Sequence, residues 1–348
     1  MTSIDKPLIS VIILNYNSGK QLLSCVESVL ASNYKNFEIL IVDNNSIDNS
    51  HLECKKQFSE IILIENKENF GYCEGNNIGI KNSNGNFIVI LNPDTIVDPN
   101  WLSELLKAQK IMGDGIFQPK ILTLEERNVI QSSGNMIQLF GFGFSSGRNT
   151  LDQETSHDIE PINFASGACF LISKNKIMEL ELFDPFFFMY NDDMDLCWRA
   201  ALIGLKSFLV PTSKIYHSKH SALKWSGKKY FLLERNRKIC LLSNYSKHTL
   251  KQIRLELFLV NIFLYIFFIS KGMLHQKIKA DFNILSNHNY IKNRQTKNSL
   301  KRTISDIEII KTFNDEIFFP PEVSTSVFDK IFNKILKKLS ISARKKLH

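Results

Sequence analysis

The chain has 348 residues, 44% hydrophobic and 22% charged, an ordinary globular composition with room for one large domain and an appendage. Its six cysteines are scattered with no CxxC pair, which suits a reducing compartment and gives no zinc signal. The net charge of +8 is unevenly spread: residues 246–348 carry 19 Lys/Arg against 8 Asp/Glu, so a mildly acidic body bears a basic tail that phosphate-rich surfaces would attract.

The first ten residues, MTSIDKPLIS, have neither a basic n-region nor a long apolar h-region. The expectation is therefore no secretory leader, and a buried strand over Leu8–Leu14. Leu22, Leu23, Val26, Val29 and Leu30 follow at helical spacing. Phe37–Val42, Ile61–Ile64 and Phe87–Leu91 read as further strands, with a short helix through Ile78 and Ile80 and another over Trp101–Met112. Repeated βα units predict a mostly parallel sheet with helices on its faces.

Ligands of such sheets bind beyond the carboxyl ends of the strands. Three polar clusters fall there: Asn15-Tyr16-Asn17, Asp43-Asn44-Asn45 and Asn92-Pro93-Asp94. Each alone reads as turn chemistry; three on one rim read as a shared polar ligand. Asp94, just past a buried strand, is a candidate ligand for a hard cation, and Asp43 a candidate for base or ribose recognition.

Residues 121–160, rich in Gly, Ser and Asn, read as a mobile substrate loop or a surface excursion. A strand near Cys169–Ile172 precedes the acidic cluster Asp192, Asp193 and Asp195. Crowded carboxylates raise one another's pKa, as a general base needs, although one of the three is expected to cap the helix that follows. His217 is either a second metal ligand or a structural hydrogen-bonding group. Arg235-Asn236-Arg237 reads as a diphosphate site or a solvated helix face.

In the tail, Leu257–Ile269 has Asn261 as its one polar residue and is short for a membrane span, fitting a re-entrant, interfacial or buried helix. Val327, Phe328, Ile331, Phe332, Ile335, Leu336 and Leu339 form a stripe flanked by lysines, predicting a basic helix that lies on an anionic membrane in preference to the protein's own body. The interleaved apolar stripe disfavours nucleic acid as the partner.

The order of these segments resembles the family 2 glycosyltransferases, in particular their bacterial rhamnosyltransferase-like branch. The resemblance spans about residues 8–240. It is carried by Val11-Ile-Ile-Leu-Asn-Tyr-Asn17, Ile41-Val-Asp-Asn-Asn-Ser46, Asn69-Phe-Gly71, Gly75-Asn-Asn77, Leu91-Asn-Pro-Asp-Thr95, Ala165-Ser-Gly-Ala168, Asp192-Asp-Met-Asp-Leu196 with Arg199, and Tyr216-His217. It implies a GT-A fold, a Rossmann-like mixed sheet with helices on both faces, over residues 1–245, and a helical membrane-associated extension over 246–348. It further implies an inverting, metal-dependent transfer from a nucleotide-sugar donor with Mg2+ or Mn2+. The resemblance places Asn15, Tyr16, Asn17, Asp43, Asn45, Asn69, Gly71, Asn76, Asn77, Asn92 and Asp94 along the nucleotide-sugar. Ser166, Gly167, Ala168, Asp195 and Arg199 would face the acceptor, Asp94 and His217 the metal, and Asp193 or Asp192 would be the base. Asn92 stands where the motif usually has Asp, and Asp192 where it usually has Glu. The branch implies dTDP-rhamnose as donor and a glycan or polyprenyl-linked acceptor of bacterial surface-glycan synthesis, handled in the cytoplasm at the inner face of the cell membrane. The competing readings are a nucleotidyltransferase, disfavoured because Ile13-Leu-Asn-Tyr-Asn-Ser-Gly19 has one Gly and no Arg, and a non-catalytic membrane-binding module. A dehydrogenase is disfavoured by the lack of GxGxxG after the first strand.

Overall fold

In the computed structural model, the residues described are 6–153, 157–219, 226–318 and 327–347, with the side chains of Val327 and Phe328 excepted. The first five residues of the N-terminal segment read above, and residues 154–156 of the Gly/Ser/Asn-rich stretch, lie outside them. In chain order, β1 (Ile9–Asn15), α1 (Lys20–Leu30), β2 (Phe37–Asp43), α2 (Ser50–Gln57), β3 (Ile62–Glu65), α3 (Gly71–Asn82) and β4 (Phe87–Leu91) alternate as the pattern predicts. β1 pairs in parallel with β2 and β4, and β2 with β3. Successive residues of these strands point to opposite faces. Ile12, Leu40, Val42, Ile88 and Ile90 enter one core, and Ile9, Val11, Ile13, Ile41 and Val89 the other. A strand covered on both faces has no polar side, which is why each reads as an unbroken apolar run.

β5 (Thr95–Val97), α4 (Trp101–Met112) and β6 (Ile116–Thr123) follow. Residues 121–160, expected as a mobile loop or a surface excursion, contain short strands between their turns: β7 (Ile130–Ser132), β8 (Asn135–Gln138), β9 (Phe142–Ser145) and the start of β10 (Glu160–Ile162). β8 and β9 form an antiparallel hairpin with Leu139 and Phe140 buried in its turn and Gly141 at φ 79°. The glycines there punctuate hairpins instead of loosening the chain.

β11 (Cys169–Ser173), α5 (Lys174–Glu179), α6 (Asp192–Leu202) and β12 (Ser207–His217) close the sheet, in the order β10-β12-β6-β11-β4-β1-β2-β3. β11 runs antiparallel to both β4 and β6, so the sheet is mixed, as the resemblance implies. β5 pairs antiparallel with the end of β12 and sets His217 opposite Thr95.

Six helices follow: α7 (Gly227–Asn244), α8 (Lys247–Gln252), α9 (Arg254–Ser270), α10 (Leu274–Ser286), α11 (His288–Lys301) and α12 (Asp306–Ile310); α13 (Val327–Leu347) ends the chain. No helix among the described residues is long and apolar enough to cross a membrane. The C-terminal helices share the core beneath α6: Val260, Leu264, Phe268, Ile291, Phe332 and Leu336 join Trp198 and Tyr245. Two internal charge networks fasten them. Lys277 is fully buried and reaches Glu234 on α7 at 2.9 Å, and Arg294 on α11 ion-pairs with Asp195 on α6.

Of the stripe expected to meet a membrane, Phe332 and Leu336 are buried, Ile335 and Leu339 half-buried and Ile331 half exposed, while the side chains of Val327 and Phe328 lie outside the described residues. Phe332 packs edge-on to Phe142 and stacks on Phe267, Leu336 is fully buried, and Lys334, Lys337 and Lys338 point to solvent. The Gln138 side-chain amide donates to Ser340 at 2.8 Å, and Lys346 pairs with Glu256 at 2.6 Å, so α13 is docked on the protein's own body. Burial of this stripe predicts that Leu336→Ala costs about 2–5 kcal/mol in denaturant unfolding. Ile341→Ala, at a half-exposed position, should cost within about 0.5 kcal/mol. Equal small effects would show α13 undocked in solution.

Candidate active site

The rim is built from strand ends. Asn15 ends β1 fully buried and donates through Nδ2 to Asp43 at 2.7 Å and to Ser50 at 3.0 Å. Asp43 ends β2 and also accepts from the Ser46 amide and hydroxyl at 2.8 and 2.6 Å. A carboxylate has about four acceptor sites, so one direction stays open after these three bonds. Asn17 and Asn45 take left-handed backbone (φ 54° and 62°), which short polar side chains tolerate. The Asn17 side-chain Oδ1 accepts from the Ile47 amide at 2.8 Å, and Tyr16 stands half exposed.

Asn69 caps the entry to α3 by accepting from the Gly71 amide at 2.9 Å. At Gly71, with φ 79°, a Cβ would lie 2.6 Å from the Phe188 carbonyl oxygen, so glycine alone fits. That carbonyl accepts from the Tyr72 amide at 2.7 Å. Asn76 is fully buried with its Nδ2 on the Tyr72 carbonyl and, among the described residues, no hydrogen-bond partner for its Oδ1, so it can take a donor from a ligand. Asn77 is committed to the fold, exchanging bonds with the Phe183 backbone at 2.9 and 3.0 Å.

Asp94 and His217 lie 123 residues apart in the sequence, yet the β5–β12 register brings them together. His217 Nε2 is 3.1 Å from Asp94 Oδ1 and 3.3 Å from Asn92 Nδ2, and Nδ1 is 2.7 Å from Gln131 Oε1. With Nδ1 donating to Gln131, Nε2 turns a lone pair toward the carboxylate. Two acceptors at that distance repel unless a proton or a metal cation lies between them. Among the described residues no group of three or more His, Cys, Asp or Glu forms a cage. Two protein donors fit a hard divalent cation that completes its shell with phosphate oxygens and water. Gln131 was not singled out from sequence; nothing in its local pattern marks it.

The turn Ala165–Ala168 joins this metal side to the acidic cluster. The Ala168 carbonyl accepts from the Asn92 amide at 2.9 Å, and the Gly167 amide donates to Asp193 Oδ2 at 2.9 Å. Ser166 is held by Gln118, and its hydroxyl accepts from the Ala168 amide. Tyr72, also missed from sequence, donates its hydroxyl to the Gly167 carbonyl at 2.6 Å.

None of the three aspartates is the N-cap of α6; Asn191 holds that place with left-handed backbone, following Phe188 and Tyr190, also at positive φ. Such strain persists where surrounding structure imposes it, here through Asn236, whose amide donates to the Phe187, Met189 and Tyr190 carbonyls. Burial and the neighbouring Asp193 charge push Asp192 well above the ordinary carboxylate range. Burial also raises Asp193, opposed by the Gly167 and Met194 amides that bind its anion. Asp195 is held down at about 2: burial opposes ionisation, but Arg294 and Arg199 outweigh it. Its oxygens are taken by Arg199, Arg294 and Asn244, and Arg199 spends its other donors on the Leu180 and Leu182 carbonyls. This pair is engaged in holding α6 to α11 and α7, and the structure brings neither group to the rim.

Arg235 and Arg237 do not form the solvated helix face that was one reading of the sequence. Both are buried: Arg237 pairs with Glu234 at 2.8 Å, and Arg235 donates to the Phe186 and Phe187 carbonyls at 2.8 and 2.9 Å.

Residues 10–180 match the family model of glycosyl transferase family 2. A hexosyltransferase of low-salt glycan biosynthesis, Agl10 of Haloferax volcanii, is 30% identical over 199 residues, covering 55% of this chain and 61% of that one. An N-acetylglucosaminyl-diphospho-decaprenol L-rhamnosyltransferase of Mycobacterium tuberculosis is 23% identical, over 61% of this chain and 76% of that one. In fold, the crystal structure of GalNAc-T7 with UDP, GalNAc and Mn2+ superposes with a TM-score of 0.59 at 18% identity, covering 73% of this chain and 51% of that one. The fold is therefore that of the GT-A glycosyltransferases, and residues 10–180 belong to glycosyl transferase family 2. It spans about three fifths of the length of the Haloferax relative and about half that of GalNAc-T7.

The raised Asp192 carboxyl makes a stability prediction. A group whose folded pKa exceeds its unfolded value, near 3.8, favours the fold fully below that value and loses this contribution as pH rises through the folded pKa. Asp192→Asn should match the wild type in urea unfolding at about pH 3.5 and exceed it at about pH 7. A variant equal to or weaker than wild type at neutral pH would contradict the burial argument.

Proposed function

We propose that the protein is an inverting glycosyltransferase that moves a sugar from a nucleotide-diphosphate donor to a hydroxyl of a glycan acceptor. The observation that carries this reading is the turn Ala165–Ala168, which grips the metal-side strand end at Asn92 and the carboxylate of Asp193 through adjacent residues. Donor and acceptor chemistry then meet across one turn.

In this reading, Asp43, Asn15 and Asn76 line the nucleotide, and Asp94 with His217 would hold Mg2+ or Mn2+. That cation would neutralise charge on the leaving diphosphate. Asp193 is the base. Its two backbone hydrogen bonds favour its anion, while Asp192, more deeply buried, retains the proton of the pair. Asp193 takes the proton of the acceptor hydroxyl, whose oxygen attacks the anomeric carbon from the side opposite the diphosphate, and single displacement inverts that centre. The Gly167 amide and the Tyr72 hydroxyl fix where that carboxylate points.

For the substrates, the branch resemblance and the name of the mycobacterial relative favour dTDP-rhamnose and a polyprenyl-diphosphate-linked acceptor, with UDP-sugars the next donors. Surface-glycan synthesis at the inner face of the cell membrane, with the protein peripherally bound to anionic lipid, accommodates such an acceptor. The proposed division into a catalytic unit over residues 1–245 and an extension over 246–348 places the membrane contact in the extension.

Nucleoside-diphosphate release from a panel of dTDP-, UDP- and GDP-sugars, with and without Mn2+, tests the proposal. One donor should give cation-dependent release, reduced about 100-fold or more in Asp94→Ala. Silence across the panel, joined with no cation-dependent nucleotide binding by calorimetry, would overturn it.

A further inference from the structure

Helix α9 buries Val260, Leu264 and Phe268 and leaves its opposite face to solvent. That outer face carries Leu255, Phe258, Ile262, Ile266 and Ile269, each between 39% and 60% exposed. The next helix continues it. Leu274, Ile278, Phe282 and Leu285 recur at i, i+4, i+8 and i+11 along α10, and Phe282 and Leu285 are each 69% exposed. α9 and α10 are adjacent, joined by a short turn through Gly272 and tied by Tyr265 and Asn261 of α9 to Asp281 and Lys277 of α10. Nine large apolar side chains on two neighbouring helices far exceed the scattered exposure of an ordinary surface.

The charges around this face have one sign. Glu256 and Asp281 are the only acids on α9 and α10, and both turn inward, onto Lys346 and onto Lys238 and Lys277. Lys271, His275 and Lys279 stand at the surface. A twofold contact between copies of the chain would set Lys271 and Lys279 against their equivalents, whereas an anionic bilayer complements them.

Beside the apolar row of α10 lies a pocket of about 520 Å3, closed by α7 and by Phe188. His275 and Lys279 line it, and each directly follows a residue of the row, so its lip is continuous with the apolar face. Lys228, Arg235 and Phe231 complete the part that matters here, and among the described residues no carboxylate lines the pocket. Lys228 lies over the Phe188 ring at 4.7 Å and Lys279 over Phe231 at 5.1 Å. Arg235 is only 8% exposed, yet among the described residues no carboxylate comes within 4.0 Å of it; backbone carbonyls and Asn236 are its partners. A buried guanidinium with no carboxylate in contact, beside a cationic cavity, attracts an anion. Phe188 is the shared wall: its carbonyl holds the amide of Tyr72, and it precedes Asp192 by four residues.

We infer that the outer face of α9 and α10 seats on an anionic lipid bilayer and that the adjoining Lys228–Arg235–Lys279 pocket binds the phosphate of a lipid held in that bilayer. The inference rests on the transferase reading for its consequence: a sugar carried on that lipid phosphate would present its hydroxyl past Phe188 to Asp193. It moves the membrane contact from α13, which is docked, to α9 and α10.

Flotation of the full chain with phosphatidylcholine vesicles, with and without phosphatidylglycerol, tests it, alongside calorimetry with soluble inorganic pyrophosphate. The wild type should float with the anionic vesicles and far less with the neutral ones. The surface pair Phe258→Gln/Phe282→Gln and the pocket pair Lys228→Gln/Lys279→Gln should each lower the bound fraction about tenfold or more, with unchanged circular dichroism. A wild type that stays unbound, variants that float like it, or pyrophosphate binding without any vesicle binding would overturn the inference. Cation-dependent nucleotide binding, measured on the Phe258→Gln/Phe282→Gln protein, keeps the two claims apart: if it persists while vesicles fail in every form, the lipid inference falls and the transferase reading stands.

Discussion

The hydrogen bond from the Gly167 amide to Asp193 Oδ2 is where the two halves of the site meet. One end of its turn is fixed to β4 through Asn92, and the other runs into β11, antiparallel to β4 and paired with β6. A strand inserted in that sense places a backbone amide at the rim, aimed across it at α6. Without it, Asp193 would be one carboxylate among three at a helix start. With it, one oxygen is oriented and its anion favoured, while burial and the Asp193 charge disfavour the anion of its neighbour Asp192.

The second constraint comes from the far end of the chain. α6 carries the aspartates at its N-terminus, and one turn along, Asp195 binds Arg294 of α11. Arg294 also pairs with Asp184 at 2.8 Å, in the segment leading to the strained Phe188–Asn191 turn. The buried pair thus ties the helix, the turn before it and the C-terminal helices into one unit. Removing one partner of such a pair leaves a buried charge uncompensated, at a typical cost of about 3–5 kcal/mol. The basic tail read from composition is thereby divided. Some of its cations, Arg294 and Lys277 above all, are internal ties, and others, Lys271 and Lys279 among them, remain for a partner surface.

Much of the fold was legible because burial on both faces leaves a plain mark: β1, β2 and β4 are apolar runs that end in polar residues. The hairpin of β8 and β9 was not, because Phe140–Phe144 alternates aromatic residues with glycine, and glycine reads as looseness when it marks a tight turn. The polar clusters were visible as strand endings, but what each does depends on sheet register. His217 meets Asp94 because β5 pairs with β12, and neither partner strand announces the other. Arg235, Arg237 and Arg294 were illegible for a related reason. A charged residue in a helical stretch reads as solvated, and only the packed structure reveals the carbonyls and carboxylates that allow it to be buried. The stripe of α13 had the spacing of a lipid-facing helix, yet that spacing is equally that of a helix docked on its own protein.

The account stands on Asp193 acting on the acceptor while the donor is held elsewhere on the rim. The most direct test is Asp193→Asn, with donor binding followed by calorimetry and transfer by product formation on the same protein. The account predicts donor affinity close to wild type and transfer reduced about 100- to 10,000-fold. Donor affinity that falls in step with transfer, or transfer that survives, would contradict it.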